Sequence, residues 1–260
     1  MELEYIRSKE GFICDMDGVI YHGNRLLPGV QEFVAWLQRE NKKFLFLTNS
    51  SERSPRELKQ KLSRMGLDIG EEHFYTSALA TAKFLSHQAP KCSAYVIGAP
   101  GLLNALYEAG ITMNDVDPEY VVVGETSTYN YDTILKAVEL VQKGAKLVAT
   151  NPDLKAPTDR GMIPACRALV SPIEVTTGCN AYYVGKPNPL MMRTGLRKLD
   201  VHSDNAVMIG DNMDTDIIAG LESGLDTVLV LTGVSKWEDL RRYSYTPTVV
   251  LDGVGNLLPV

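Results

Sequence analysis

Short continuous apolar runs alternate with helix-length segments along most of the 260-residue chain. The runs are typical of strands buried on both faces of a parallel sheet, and they cover residues 11–14, 44–47, 94–97, 120–123, 146–149, 206–209, 226–231 and 248–251. Segments with helical patterning lie between them, at residues 30–37, 55–65, 77–86, 101–109, 131–143, 189–199 and 215–224. Because every crossover has the length of a helix, we predict an α/β fold with a doubly wound parallel sheet.

The middle of the chain repeats this alternation of strands and helices. It contains no partner for the acids that follow the first strand, at residues 15 and 17. A chain of this length suits one core with a substantial insertion. We therefore predict an inserted smaller α/β domain at residues 81–181, between two parts of a larger domain at 1–80 and 182–260. In this interpretation the larger domain resumes at Tyr182.

Polar side chains cluster where the predicted strands of the larger domain end. The groups are two acids, a hydroxyl with an amide, a lysine and a second acid pair: Asp15 and Asp17, Thr48 and Asn49, Lys186, and Asp211 with Asp216. The loops beyond the carboxyl ends of parallel strands form the binding crevice of such sheets. We therefore expect these side chains to meet at one edge.

Each group taken alone has a simpler interpretation. Asp-Met-Asp-Gly at residues 15–18 has the composition of a turn, and Thr48-Asn49 can cap a helix. Lys186 can be a solvated lysine, and Asp211 can complement a helix dipole. Four such coincidences at four strand ends are improbable together, so the set favours a shared site.

The predicted cluster of four carboxylates would repel strongly without a cation among them. A set of oxygen ligands without Cys or His favours Mg²⁺, which binds carboxylates, waters and substrate phosphate. We predict Mg²⁺ as the cofactor, with Asp15, Asp17 and Asp211 at the metal. Asp216 is predicted to hold the metal's waters or to orient Lys186.

The remaining groups suit phosphoryl transfer. Asp15, at the strand end, is the predicted nucleophile, which would form an aspartyl-phosphate. Asp17 is the predicted general acid that protonates the leaving group and then activates water. Thr48, Asn49 and Lys186 would donate to the phosphoryl oxygens.

Four segments, in this order, resemble the four motifs of the haloacid dehalogenase (HAD) superfamily of phosphotransferases: Phe12 to Gly18, Leu47-Thr48-Asn49, Val184-Gly185-Lys186-Pro187, and Gly210-Asp211-Asn212 with Thr215-Asp216. Three further segments resemble its NagD group, which carries a C2-type α/β cap: Val123 to Thr126, Ala149 to Asp153, and Leu231 to Val234. The resemblance spans nearly the whole chain and implies a HAD-like core with an inserted cap.

The resemblance also implies an activity. It indicates Mg²⁺-dependent hydrolysis of small phosphomonoesters, with nucleoside 5′-monophosphates such as UMP as the leading class. Related capped members act on 4-nitrophenyl phosphate, sugar phosphates or pyridoxal phosphate. Asn212 and Thr215 join the substrate-binding residues by their place in the fourth motif, and Asp214 is an additional acid there.

The long polar loop that begins at Asn151 is a candidate for specificity, since long ordered loops in compact domains are often functional. Within it we single out Asn151, Asp153 and Arg160.

Three alternatives differ from phosphatase activity. A receiver-like signalling module also combines an acid cluster, Mg²⁺, a Thr and a Lys on a doubly wound sheet, but it needs no second acid such as Asp17. A dehalogenase would leave Asp17 idle, because halide departs without a proton. A phosphomutase of the same superfamily remains an alternative. Within phosphatase activity, a sugar-phosphate phosphatase is a further alternative.

Net charge, apolar runs and cysteine spacing limit the kinds of binding partner that the chain is expected to have. The formal net charge of −6 and the pI of about 5.3 argue against binding a nucleic acid polymer. We expect no membrane association and a cytoplasmic protein, since no apolar run approaches the roughly 20 residues of a membrane span and the first residues do not resemble a secretory signal. The four cysteines are widely spaced, which predicts neither disulfides nor a zinc site.

Overall fold

The computed structural model describes residues 2–158 and 161–259 of the chain. Its α-helices are α1 (Glu2–Ser8), α2 (Val30–Arg39), α3 (Pro55–Arg64), α4 (Ser77–Gln88), α5 (Pro100–Glu108), α6 (Tyr131–Gln142), α7 (Cys166–Thr177), α8 (Pro189–Leu199) and α9 (Ile218–Glu222). Its strands are β1 (Gly11–Cys14), β2 (Tyr21–His22), β3 (Arg25–Leu26), β4 (Lys43–Thr48), β5 (Phe74–Thr76), β6 (Ser93–Ile97), β7 (Thr112–Met113), β8 (Tyr120–Val123), β9 (Lys146–Ala149), β10 (Lys155–Thr158), β11 (Gly161–Pro164), β12 (Tyr182–Tyr183), β13 (Ala206–Gly210), β14 (Asp226–Val230) and β15 (Val249–Leu251).

Contacts within the chain define two compact units. The larger unit comprises the residues up to Thr48, Leu58–Tyr75 and the residues from Lys186 onward, and the smaller unit comprises Asn49–Glu57 and Thr76–Gly185. The domain limits predicted from the sequence, 1–80, 81–181 and 182–260, stay a prediction.

The larger unit is built on a six-stranded sheet, counted over the described residues, with the order β15-β14-β13-β1-β4-β5. Strand β1 pairs in parallel with both β13 and β4, and Cys14 lies opposite Ile209 and Phe46. Because the three strands are parallel and β13 and β4 extend only to Gly210 and Thr48, just beyond the level of Cys14, the loops that follow them start from the same edge.

Strand β1 is central because all four of its residues are buried apolar positions, as the sequence pattern predicts. On one side it packs against the apolar face of α2, where the Phe12 and Trp36 rings meet edge to face at a centroid distance of 5.5 Å. Burial of aromatic side chains of this size is a major source of stability in a core. The sheet edge is therefore held by a packed, rigid centre.

The smaller unit has its own five-stranded sheet, again within the described part of the chain, with the order β12-β9-β8-β6-β7 and parallel pairing throughout. Helices α6 and α7 pack on it around Val121, Val123 and Val170. The predicted α/β alternation of the middle block is thus observed.

The residues at the predicted start of the second part of the larger domain form a short strand, and the limit at 182 stays a prediction. Tyr182 and Tyr183 form β12, which pairs with Val148 and Ala149 in the smaller unit's sheet. A two-residue strand carries too little sequence signal to indicate which sheet it joins.

Three local features also differ from the sequence prediction. The polar loop after Asn151 contains the antiparallel hairpin β10–β11, in which Thr158 lies opposite Gly161. Helix α7 was not predicted, and it carries Pro172, a residue that usually ends helices. The segment predicted as a helix from residue 215 begins with a π-helical turn at Met213–Ile217 before α9.

Among the helices of the described residues, none is both long and apolar enough to cross a membrane.

Candidate active site

Asp15 lies directly after β1, in a tight turn at the edge of the sheet. Its backbone N–H donates to Ile209 O at 2.8 Å, which extends the pairing of β1 with β13 by one residue. The chain then reverses at Gly18, whose φ of 82° is open to glycine at little cost. A Cβ atom at Gly18 would lie 2.5 Å from Asp211 Oδ2, so the turn passes close against that carboxylate.

Lys186 joins two carboxylates. Its Nζ lies 2.5 Å from Asp15 Oδ1 and 2.7 Å from Asp216 Oδ1, and it also donates to Leu47 O at 3.3 Å. The lysine is only 2% exposed. Burial opposes its charge, but the two neighbouring carboxylates outweigh burial and raise the pKa of Lys186 above its ordinary range, so the ammonium stays charged.

Asp15, Asp211 and Asp216 bring carboxylate oxygens within 4.8 Å of one another, the one group of this kind found among residues 2–158 and 161–259. Burial raises the pKa of Asp15 to about 7; the charge of Lys186 opposes this rise, and that of Asp216 adds to it. Burial raises the pKa of Asp211, and the charges of Asp216 and Asp15 raise it further. The three acids therefore have one ammonium among them, which leaves negative charge uncompensated.

This donor set fits a divalent cation. Carboxylate oxygens are the ligands of hard divalent ions, and the cluster contains neither sulfur nor imidazole.

The predicted metal ligands are Asp15, Asp17 and Asp211, and the carboxylate cluster contains two of them, Asp15 and Asp211. Asp216 is the third member of the cluster, and the carboxylate of Asp17 is not part of it. The side chain of Asp17 is 48% exposed and lies 3.6 Å from His22 Nδ1. Partial burial raises the pKa of Asp17, against the opposing charges of His22 and Lys61. The metal-binding and proton-transfer roles of Asp17 both stay predictions.

A loop that the sequence interpretation did not assign to the site holds Asp211. Val234 N–H donates to Asp211 Oδ2 at 2.7 Å, and Ser235 N–H donates to Asp211 O at 2.9 Å. Ser235 Oγ also accepts from Met213 N–H at 3.0 Å, and Ser235 is buried. The segment Leu231 to Val234 carried a resemblance to the NagD group but no chemical signal of its own.

Asp216 is oriented by the π-helical turn. Its Oδ2 accepts the backbone N–H groups of Asp211 and Asn212, both at 3.2 Å, while Oδ1 faces Lys186. Asn212 Oδ1 accepts from Asp214 N–H at 2.9 Å, and Thr215 is buried. The substrate-binding roles of Asn212 and Thr215 stay predictions.

Asp214, the additional acid of this loop, is exposed and accepts a hydrogen bond from Tyr243 OH at 3.0 Å. It lies outside the carboxylate cluster.

Thr48 ends β4 and is 7% exposed, one residue beyond the Leu47 carbonyl that accepts from Lys186. Asn49 follows it and groups with the smaller unit. There its Nδ2 donates to Asp153 Oδ2 at 3.1 Å, and its backbone oxygen accepts from Asn151 Nδ2 at 2.7 Å. The phosphate-binding roles of Thr48 and Asn49 stay predictions.

The three specificity candidates of the polar loop differ in their surroundings. Asn151 is fully buried, and its amide group is used within the smaller unit, so it holds the chain rather than facing a ligand. Asp153 accepts from Asn49, and Arg160 lies outside the described residues.

Two family models match the chain. One, described as haloacid dehalogenase-like hydrolase, matches residues 12–112, and a second, described as HAD-hydrolase-like, matches residues 183–257.

Similar proteins cover nearly the whole chain. Dihydroxyacetone phosphatase from Corynebacterium glutamicum is 44% identical over 95% of this chain and 90% of its own length. Ribonucleotide monophosphatase NagD from Escherichia coli is 42% identical over 94% of this chain and 96% of its own. Acid sugar phosphatase from Staphylococcus saprophyticus is 34% identical over 97% of this chain and 98% of its own.

The solved structure of NagD from Escherichia coli superimposes with a TM-score of 0.91 at 40% sequence identity, covering 96% of this chain and 100% of that chain. The chain therefore belongs to the haloacid dehalogenase-like hydrolase family, within its NagD group. The predicted fold class, a HAD-like α/β core with an inserted α/β domain, is confirmed, and the receiver-like alternative is disfavoured.

Proposed function

We propose that this protein is a Mg²⁺-dependent phosphomonoester hydrolase that acts through an aspartyl-phosphate on Asp15. The observation that carries the proposal is the buried ammonium of Lys186, held between Asp15 and Asp216, with Asp211 in the same carboxylate cluster. A nucleophile, a fixed positive charge and a cation site thus occupy one edge of one sheet.

In the first step Asp15 attacks phosphorus, and the bond to the leaving oxygen breaks. The ammonium of Lys186 opposes protonation of Asp15 and orients its Oδ1, while the other oxygen is the attacking atom. Bound Mg²⁺ supplies positive charge that offsets the acidic cluster and the phosphoryl oxygens. Thr48 lies beside this position at the end of β4 and donates to a phosphoryl oxygen.

Asp17 gives its proton to the departing alkoxide and then takes a proton from the water that hydrolyses the intermediate. Its raised pKa suits this dual role, because a carboxyl group must be protonated for the first step and ionised for the second. Its partly exposed position gives it access to water.

Small phosphorylated metabolites are the proposed substrates, with nucleoside 5′-monophosphates such as UMP as the first candidate class. The name of NagD, a ribonucleotide monophosphatase at 42% identity, supports that class. Dihydroxyacetone phosphate is the second candidate, supported by the relative at 44% identity, and sugar phosphates are the third.

A substrate panel tests the proposal. UMP, dihydroxyacetone phosphate, glucose 6-phosphate and 4-nitrophenyl phosphate are each incubated with Mg²⁺ or with EDTA, and inorganic phosphate is measured. We expect release that requires Mg²⁺ and differs in kcat/KM among the natural esters. Stable phosphorylation of the protein without phosphate release would instead support a signalling role, and full activity in EDTA would contradict the metal requirement.

The affinity of the protein for Mg²⁺ should decrease as the pH is lowered. Because the pKa of Asp15 is raised to about 7 without metal, protons compete with the ion at and below that pH. For each proton that Mg²⁺ must displace, the affinity decreases by up to about tenfold for each unit by which the pH is lowered. We therefore expect the affinity for Mg²⁺ at pH 6 to be at least about tenfold lower than at pH 8. Calorimetric titration in buffers of different ionisation heat measures both affinity and proton release. Constant affinity over this range would show that Asp15 binds no proton there.

Asp17→Asn should separate the two chemical steps. Protonation matters most for a poor leaving group, so we expect the variant to lose about 10²–10⁴-fold in kcat on an alkyl phosphate. With 4-nitrophenyl phosphate the first step needs little protonation, but the intermediate still needs a base. We therefore expect a burst of 4-nitrophenolate followed by slow turnover, seen by stopped flow. Equal losses on both substrates without a burst would remove Asp17 from the acid role.

A further inference from the structure

The loop that follows β14, residues 231–236, contacts two acid-bearing segments of the larger unit. It starts from the sheet, where Leu231 N–H donates to Leu251 O at 2.9 Å. It ends at a 3₁₀-helical turn, Trp237–Arg242, where Lys236 N–H donates to Asp239 Oδ2 at 3.0 Å. Because both of its ends are anchored, the loop has a defined path across the carboxyl edge of the sheet.

One side of this loop holds Asp211. Val234 N–H donates to Asp211 Oδ2 at 2.7 Å, and Ser235 N–H donates to Asp211 O at 2.9 Å. The backbone of Gly233 also packs against this carboxylate, because a Cβ atom at Gly233 would overlap Asp211 Oδ2. The orientation of the Asp211 carboxylate therefore depends on where the loop lies.

The other side of the loop holds the turn that follows β1. Thr232 Oγ1 donates to Gly18 O at 2.5 Å. A Cβ atom at Gly18 would lie 3.1 Å from Gly233 Cα, so the backbones of the turn and the loop lie close against each other. The hydroxyl of Thr232 thus ties the turn that carries Asp15 to the loop that holds Asp211.

We infer that Thr232 is a positioning residue that sets the separation between Asp15 and Asp211 for cation binding. The inference rests on the proposed function, in which Mg²⁺ binds at this carboxylate cluster. Thr232 acts through two backbones, that of Gly18 in the turn and that of the residues after Thr232, which hold Asp211. Mg²⁺ requires oxygen ligands at about 2.0–2.1 Å in nearly octahedral geometry, so it tolerates little displacement of either carboxylate.

Thr232→Val tests the inference with a side chain of nearly equal shape. The methyl group that replaces the hydroxyl cannot donate, and a carbon atom approaches a carbonyl oxygen only to about 3.3 Å, so the loop and the turn must separate. We expect the affinity of the substrate-free protein for Mg²⁺ at pH 8, measured by calorimetric titration, to fall about tenfold or more. Amide hydrogen exchange at residues 233–235 in EDTA should become faster, because the loop is held less firmly.

Further variants identify the hydroxyl as the cause. Thr232→Ser keeps the donor and loses only a methyl group, so it should restore most of the affinity for Mg²⁺ that Thr232→Val loses. Thr246→Val makes the same change at an exposed threonine between β14 and β15, and this matched control should bind Mg²⁺ as the wild type does. Thr232→Ala removes the hydroxyl without adding a methyl group in its place, and it repeats the test if Thr232→Val folds poorly.

The outcomes separate this inference from the proposed function. Wild-type affinity for Mg²⁺ in a folded Thr232→Val protein would overturn the positioning role while leaving phosphatase activity in place. A lower thermal midpoint with unchanged affinity would show that Thr232 is only structural, and an equal loss of affinity in Thr232→Ser would exclude the hydroxyl as the cause. Absence of Mg²⁺-dependent phosphate release by the wild-type protein would overturn the proposed function itself, and the inference with it.

Discussion

Asp15→Asn abolishes turnover, with an expected loss in kcat of at least about 10⁴-fold on 4-nitrophenyl phosphate. The amide keeps the shape of the side chain but cannot form an acyl phosphate. Because burial already raises the pKa of Asp15, a neutral group at this position is not expected to lower the stability of the metal-free protein. Steady-state assays and thermal unfolding in EDTA measure the two effects.

Asp214→Asn is the matched control, because Asp214 is an exposed acid outside the carboxylate cluster. It should retain activity within about twofold, as surface substitutions usually do. Measurable turnover by Asp15→Asn that matches the control would remove the proposed nucleophile. Labelling of the wild-type protein, but not of Asp15→Asn, by radioactive phosphate would identify the intermediate.

The buried strands could be predicted because their continuous apolar sequences fit only one kind of element. Residues 11–14, 120–123 and 146–149 form strands with the predicted limits. A continuous run of buried apolar residues has one stable environment, the centre of a parallel sheet. The pairing of β1 with β13 then brings the ends of these strands together, which is why Asp15 and Asp211 could be expected in one place.

The membership of the carboxylate cluster was less predictable, because spacing along the chain does not give the direction of a side chain; the metal ligands themselves stay a prediction. Asp17 lies only two residues from Asp15, yet the turn at Gly18 leaves its carboxylate beside His22. Asp216 was expected on an ordinary helix. Instead, Ile217 N–H donates to Asn212 O at 3.2 Å in a π-helical turn, and Asp216 faces back toward the backbone of Asp211.

Lys186→Met should be both inactive and unstable. Nζ of Lys186 lies 2.5 Å from Asp15 and 2.7 Å from Asp216, so its removal leaves buried carboxylates without their cation. Loss of one partner of a buried ion pair typically costs about 3–5 kcal/mol, and we expect a free energy of unfolding lower by that amount in EDTA at pH 8. Denaturant unfolding measures it, and kcat should fall by at least about 10³-fold.

The sign of the pH dependence follows from the acids that remain. The folded-state pKa of Asp15 lies above its ordinary value even with Lys186 present, so its neutral form is favoured by folding. Stability held by that neutral form is present at low pH and is lost as pH rises through about 7. The Lys186→Met protein should therefore regain stability between pH 8 and pH 6, and Mg²⁺ should restore part of it at pH 8.

Lys198→Met, on the exposed face of α8, is the control for loss of a lysine, because Lys198 is exposed whereas Lys186, in the turn before α8, is buried. It should change neither activity nor the pH dependence of unfolding. If Lys186→Met proved as stable as this control at pH 8 without metal, the three carboxylates would not be a charged cluster held together by one ammonium. The electrostatic basis for placing a divalent cation and a phosphoryl group beside Asp15 would then fail, because the site would carry no excess negative charge to be neutralised.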